Sequence, residues 1–161
     1  MKNKGKVFEE NFKKSVPDDI LYYRFKDGTA NWQHNNLVRF QAKNICDCML
    51  FDGDILVFAE LKNHKGKSIP FSCIRENQIK ELSMYQYYKN TKCVVIINFE
   101  DLEECYCLFI ADLNHFMRTS NRMSVPVEIC REIGIKIENK RLRTNYRYDI
   151  KKMMEEIKNA N

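Results

Sequence analysis

The sequence predicts an α/β fold, a mixed β-sheet flanked by helices, and three observations point to it. Residues Ile55 to Leu61 read ILVFAEL, an unbroken apolar run of the kind found where both faces of a strand are covered. A helical stretch from Ser72 to about Lys89 links that run to a second apolar strand, Cys93 to Phe99. A strand-helix-strand crossover of this length implies a parallel pair. Glu104 to Ala111 then returns antiparallel after a short acidic turn, which makes the sheet mixed.

The elements follow in order. Val7 to Ser15 carries Phe8 and Phe12 four apart, the spacing of a first helix that ends before Pro17. Ile20 to Phe25 reads as a strand. Ile45 to Lys62, ICDCMLFDGDILVFAELK, is a hairpin whose Asp52-Gly53 pair supplies the positive φ angles of a two-residue turn. That turn would pair Phe51 with Asp54 and place Asp47 opposite Phe58. Asn63 to Pro70, with Lys65 and Lys67, reads as a polar basic loop. Ser72 is a candidate cap for the crossover helix, on which Gln78, Leu82 and Tyr85 share a face. Short helices are expected near Leu113 to Arg118 and Pro126 to Glu132, a short strand at Ile135 to Glu138, and a closing helix near Asp149 to Lys158.

Composition fits one domain spanning 1–161. With 44% hydrophobic and 30% charged residues the chain can bury a proper core. No apolar stretch approaches membrane-spanning length, and the start MKNKGK leads into an amphipathic segment rather than a signal-peptide core, so a cytoplasmic protein is expected. There is no internal repeat and no linker rich in Gly, Pro or Ser. Of the seven cysteines, Cys46 and Cys48 lie two apart on a strand and are expected to share the face opposite Asp47, a pattern repeated by Cys105 and Cys107. An odd count without zinc spacing reads as small buried residues in a reducing compartment.

Within the hairpin, faces alternate with period 2, so Asp47, Glu60 and Lys62 project the same way. A loop one residue longer or shorter would break that. Burying a charge costs several kcal/mol unless it is paired or metal-bound. Glu60 and Lys62, at the end of an apolar run, therefore answer to a ligand or to each other, or else they lie beyond the buried part in a solvated strand end. Spacing alone leaves both readings open. The chemistry of the first is clear. Two carboxylates hold a hard cation such as Mg²⁺ with positions open for a phosphate, and a lysine beside them offsets charge developing at phosphorus while water attacks.

Asp47, twelve intervening residues and Glu60-Leu61-Lys62 resemble the signature of the PD-(D/E)xK nuclease superfamily, with its restriction-endonuclease-like core. More specifically, the chain is similar to the RecU family of Holliday junction resolvases. The similarity runs from Gly5-Lys-Val-Phe-Glu9 through DGDILVFAELKNHKGKSIPF, Glu76-Asn77-Gln78-Ile79, CVVIINF and CYCLFIADLNHF to the stretch ending at Asp149. The resemblance implies that Asp47 and Glu60 are metal ligands with the Leu61 carbonyl, that Lys62 is the catalytic lysine, and that Gln78 and Glu9 are supporting residues. It also implies Mg²⁺, or Mn²⁺, as cofactor, a homodimer, branched DNA as substrate and a recombinase as partner. Two departures stand out. Ile45-Cys46 replaces a common Thr-Thr, and the interval FKDGTANWQHNNLVRFQAK is short where larger members carry a projecting hairpin.

Charge points to the ligand. Between Lys136 and Lys152 there are seven Lys/Arg and two acids, which accounts for the whole net charge of +5. A basic tract interleaved with Tyr146 and Tyr148 is a footprint of phosphate-backbone contact, although a solvated surface reads the same way. Lys140, Arg141, Arg143 and Arg147 are the candidate DNA contacts there, with Lys65 and Lys67 in the loop. Arg39 and Lys43 are candidates in the short interval, where Trp32 and Phe40 are candidates to stack on bases, although Trp32 packed under a loop with solvated charges around it reads the same way. Three functions remain open: a resolvase of four-way junctions, a nuclease of another DNA form such as flaps, ends or duplex, and a DNA-binding recombination accessory with a degenerate site.

Overall fold

The computed structural model describes residues 3–25 and 44–160. Arg39, Lys43, Trp32 and Phe40 lie outside the described residues. The chain runs α1 (Lys4–Lys13), β1 (Leu21–Arg24), β2 (Cys48–Phe51), β3 (Leu56–His64), β4 (Ser68–Pro70), α2 (Glu76–Tyr85), β5 (Thr91–Phe99), β6 (Glu104–Phe109), α3 (Ile110–Thr119), β7 (Ser124–Pro126), α4 (Val127–Ile133), β8 (Ile135–Ile137), β9 (Asn139–Arg141), β10 (Tyr146–Tyr148) and α5 (Ile150–Asn159). Six strands form one sheet in the order β1-β2-β3-β5-β6-β8, with β3 and β5 parallel and the other neighbours antiparallel. This is the mixed sheet flanked by helices that the sequence predicts.

Apolar cores form on both faces, as the unbroken runs of β3 and β5 require. Val57, Ala59, Leu61, Val94 and Ile96 pack with Phe8 and Phe12 of α1 and with Ile150, Met153, Met154 and Ile157 of α5. Val95, Ile97, Tyr106 and Leu108 pack on the other face with Ile79 and Leu82 of α2 and with residues of α3 and α4. The even positions of β3, among them Glu60 and Lys62, therefore face the α2 side.

The hairpin differs from its expected register. Phe51 pairs with Leu56 and Met49 with Phe58, so four residues close the turn rather than two. The Asp52 carboxylate accepts from the backbone N–H of Asp54 at 2.9 Å and of Ile55 at 3.0 Å, and Gly53 holds φ at +97°. An Asp side chain satisfying two backbone donors makes the wider loop favourable. Because the shift is two residues, every side chain keeps its face.

Other expectations are corrected. Cys46 packs in the α2-side core and Cys48 in the α1-side core, because the chain bends before β2 begins. Ser72 lies in a 3₁₀ turn, Phe71–Cys73, and α2 starts after Arg75 with no side-chain cap. The expected loop after Lys62 is mostly strand: β3 continues to His64, and β4 pairs with β7. Six of the seven free cysteines are buried, and burial alone pushes the Cys93 thiol up to about 12. Such thiols are inert fillers of the core.

Candidate active site

The site forms where β2 hands over to β3. Cys48 pairs with Ala59, so Asp47, one position earlier, is level with Glu60 across the strands. The Asp47 carboxylate accepts from the backbone N–H of Leu61 at 2.7 Å. That bond fixes one oxygen and ties the carboxylate to β3.

Glu60 is only 2% exposed. Its Oε1 meets Lys62 Nζ at 2.7 Å, while its Oε2 is buried without a hydrogen-bond partner. Burial, and then the negative charge of Asp47, raise the Glu60 pKa; Lys62 and Gln78 pull it the other way. Gln78, in the first turns of α2, lies against Glu60, and its own Oε1 is also buried without a partner. A buried, unsatisfied carboxylate oxygen is rare in a folded protein and calls for a missing partner.

The donor set decides what that partner can be. Asp47, Glu60 and the adjacent Leu61 carbonyl are all hard oxygen donors. Among the described residues there is no group of three or more His, Cys, Asp or Glu able to cage a metal. Mg²⁺ suits such a site, since it keeps several waters and needs only one or two carboxylates beside a substrate phosphate. The residues present fit the ion.

Other candidates fall in different places. Glu9 is on α1 and ion-pairs with Arg24 of β1 at 2.5 Å, on the sheet face opposite Glu60. Lys65 and Lys67 are exposed in the turn between β3 and β4, directly beyond the site. Lys140 and Arg143 are exposed on the β9–β10 hairpin, whereas Arg141 bonds Glu103 and Arg147 donates to the Tyr146 carbonyl. Tyr148 is 6% exposed and packs on Phe8 and Phe12, so it belongs to the core and is closed to DNA bases.

Sequence reading missed a polar network beside Lys62. Asn98 Nδ2 donates to Asn63 Oδ1 at 2.6 Å, Asn63 Nδ2 donates to Glu100 at 3.3 Å, and Tyr148 OH donates to Asn98 Oδ1 at 3.4 Å. The signal was present, since Asn98 is the one polar residue in CVVIINF.

The family model for RecU, Recombination protein U, matches residues 4–153. The chain belongs to the RecU family. A relative, the SPbeta prophage-derived uncharacterized protein YotM of Bacillus subtilis (strain 168), is 33% identical over an alignment of 171 residues, covering 96% of this chain and 87% of the relative. The solved structure of Hjc, a Holliday junction resolvase of Archaeoglobus fulgidus, is similar over 83% of this chain and 92% of its own, with 12% identity and a TM-score of 0.49. No helix among the described residues is long and apolar enough to cross a membrane.

Proposed function

We propose that this RecU-family protein is a divalent-metal-dependent DNA endonuclease that cuts four-way junctions by attack of water at phosphorus. The observation that carries the reading is the buried Glu60 carboxylate, paired through one oxygen with Lys62, open at the other, and level with Asp47. Asp47, Glu60 and the Leu61 carbonyl would hold the ion. When bound, Mg²⁺, or Mn²⁺, polarises the scissile phosphoryl group and stabilises the leaving oxygen.

The chain's own groups do the rest. The Lys62 ammonium, half-buried on the same face, orients the attacking water and offsets charge accumulating on the phosphoryl oxygens. Gln78 braces Glu60 from α2, and Glu9 supports the site at a distance by tying α1 to β1 through Arg24. Lys65 and Lys67 are placed to meet phosphates flanking the scissile bond, and the exposed Lys140 and Arg143 extend the contact. No base-reading element stands out among the described residues, so backbone and shape govern recognition. Two such sites in a homodimer would nick opposed strands, with a recombinase directing the enzyme to its DNA.

The test is cleavage of a labelled mobile four-way junction beside matched duplex and flap DNA, each with Mg²⁺ or EDTA, for wild type, Asp47→Ala and Lys62→Ala. Paired symmetric nicks in the junction alone, lost with EDTA and in both variants while binding persists, are expected. Equal cutting of all three DNAs would keep the nuclease and discard the junction. Binding without cleavage by the wild type would leave an accessory DNA-binding protein.

A further inference from the structure

Three hydrogen bonds from one hairpin converge on Glu103. Its Oε1 accepts from Tyr146 OH at 2.6 Å and from Arg141 Nη1 at 3.0 Å, and its backbone carbonyl accepts from Asn139 Nδ2 at 2.8 Å. Tyr146 and Arg141 are cross-strand partners in the β9–β10 hairpin, so a single carboxylate oxygen grips both strands. Glu103 itself sits at φ 54°, a left-handed conformation that a residue with a Cβ rarely takes.

The hairpin is fixed at two points and free at a third. Its base is held where Tyr148 packs on Phe8 and Phe12 and its N–H donates to Ser15 Oγ at 3.0 Å. Glu103 is the second anchor. The tip, closed by Leu142 N–H donating to the Asn145 carbonyl at 2.7 Å, is exposed throughout and carries Arg143. Lys140 is exposed beside it, and neither cation is in an ion pair among the described residues.

Position links this arm to the site. Glu103 closes the turn between β5 and β6, at the end of the sheet where His64 pairs with Phe99. In the same turn Glu100 accepts from Asn63, the residue after Lys62, at 3.3 Å, and its carbonyl accepts from Glu103 N–H at 3.3 Å. One short turn thus fixes both the arm and the end of the strand that carries Lys62.

We propose that the β9–β10 hairpin is a preset arm that grips DNA phosphates through Lys140 and Arg143, with Glu103 as the positioning residue that holds it. Arg141 serves the arm rather than the DNA. This rests on the nuclease reading, and it names where the substrate is held. It also carries an unusual sign. On charge alone, deleting an acid from a basic DNA-binding face strengthens binding. Here Glu103→Gln exchanges the charged acceptor that both strands share for a weaker amide oxygen, so the arm loosens and its ordering must be supplied on binding.

The experiment measures junction and duplex binding in EDTA across a salt series for wild type, Glu103→Gln, Arg141→Ala, the double variant of these two, Lys140→Ala, Arg143→Ala and Glu155→Gln. The last removes the same charge from the exposed side of α5 and controls for net charge. Thermal unfolding confirms that each variant is folded. Glu103→Gln is expected to weaken binding by roughly threefold to tenfold, whereas Glu155→Gln is not expected to weaken it. Lys140→Ala and Arg143→Ala should each lower the salt slope by about 0.9. Arg141→Ala combined with Glu103→Gln should be no worse than the poorer single variant, because both cut one clamp. Unchanged or tighter binding by folded Glu103→Gln, or an unchanged salt slope in both lysine and arginine variants, overturns the arm. If the wild type binds and cuts DNA in that case, the nuclease reading stands without it; if the wild type binds no DNA, both fall.

Discussion

At Glu60 the protein holds a carboxylate where the sheet would favour an apolar side chain. It is 2% exposed, one oxygen is unsatisfied, and burial together with Asp47 raises its pKa. Such a residue costs stability unless both its oxygens are satisfied. Glu60→Gln, similar in size and uncharged, should therefore be more stable than wild type in EDTA, by about 1 kcal/mol, because the Lys62 side chain is 18% exposed and its ammonium can turn to solvent once unpaired. Mg²⁺ should raise the wild-type Tm and leave the variant's unmoved. Calorimetry with and without metal reads both effects, and a variant less stable than wild type in EDTA would mean that Lys62 alone satisfies Glu60. Asp52 shows the opposite sign. Burial raises its pKa, but the Ile55 N–H, Lys158 and the Asp54 N–H outweigh that and bring it down to about 2. The folded state then binds this proton less tightly than the unfolded chain, whose value is about 3.9. Its stabilisation is present above about pH 4 and disappears as pH falls through about 2. Asp52→Asn should cost about 1 kcal/mol at pH 7, allowing for the solvent around Lys158. The same comparison at the acid end of the unfolding curve should show the two proteins converging.

Elements set by local pattern were legible, and elements set by distant contacts were not. The periodicity of Phe8 and Phe12, the apolar runs of β3 and β5 and the crossover between them gave α1, α2 and the parallel pair. Strands β4 and β7 have three residues each and meet across the chain, with Ser68 Oγ donating to Ser124 Oγ at 2.7 Å. Three residues cannot display a period of two. The same holds for β9 and β10. The hairpin register was misjudged because a local turn rule weighed Asp-Gly and overlooked the Asp52 side chain as an acceptor, yet the face of Asp47 relative to Glu60 survived a two-residue shift. The junction of α4 and β8 depends on a glycine for a reason only packing reveals. Gly134 has φ −104°, which any residue adopts, but a Cβ there would lie 2.5 Å from the Cys130 carbonyl oxygen and 2.8 Å from Leu108 Cδ2. Gly134→Ala should cost about 1–3 kcal/mol, measured as a lower midpoint in denaturant with an unchanged m-value. A neutral result would mean that the α4 C-terminus shifts freely.

For the whole molecule, the described residues bring together one Asp47, Glu60 and Lys62 set, while resolution of a four-way junction needs two cuts on opposed strands. The local part of the site, one turn of hairpin, was readable from spacing. Its consequences for assembly were not, since a partner copy leaves no periodic trace in a chain. A homodimer would supply the second cut within one binding event, and this has a consequence in mixed assemblies. Wild type and Lys62→Ala subunits, unfolded and refolded together, should form dimers with one working site that still bind the junction. On a plasmid with an extruded cruciform, coordinated cuts give linear DNA, whereas a single cut gives a nicked circle that loses the cruciform with its supercoiling. The ratio of nicked to linear product should therefore rise as the fraction of Lys62→Ala increases. If the protein acts as independent monomers, the variant merely dilutes the active subunits, and at matched wild-type concentration and low occupancy the product ratio stays constant. A constant ratio would reject the dimeric resolvase while leaving the chemistry at Glu60 untouched.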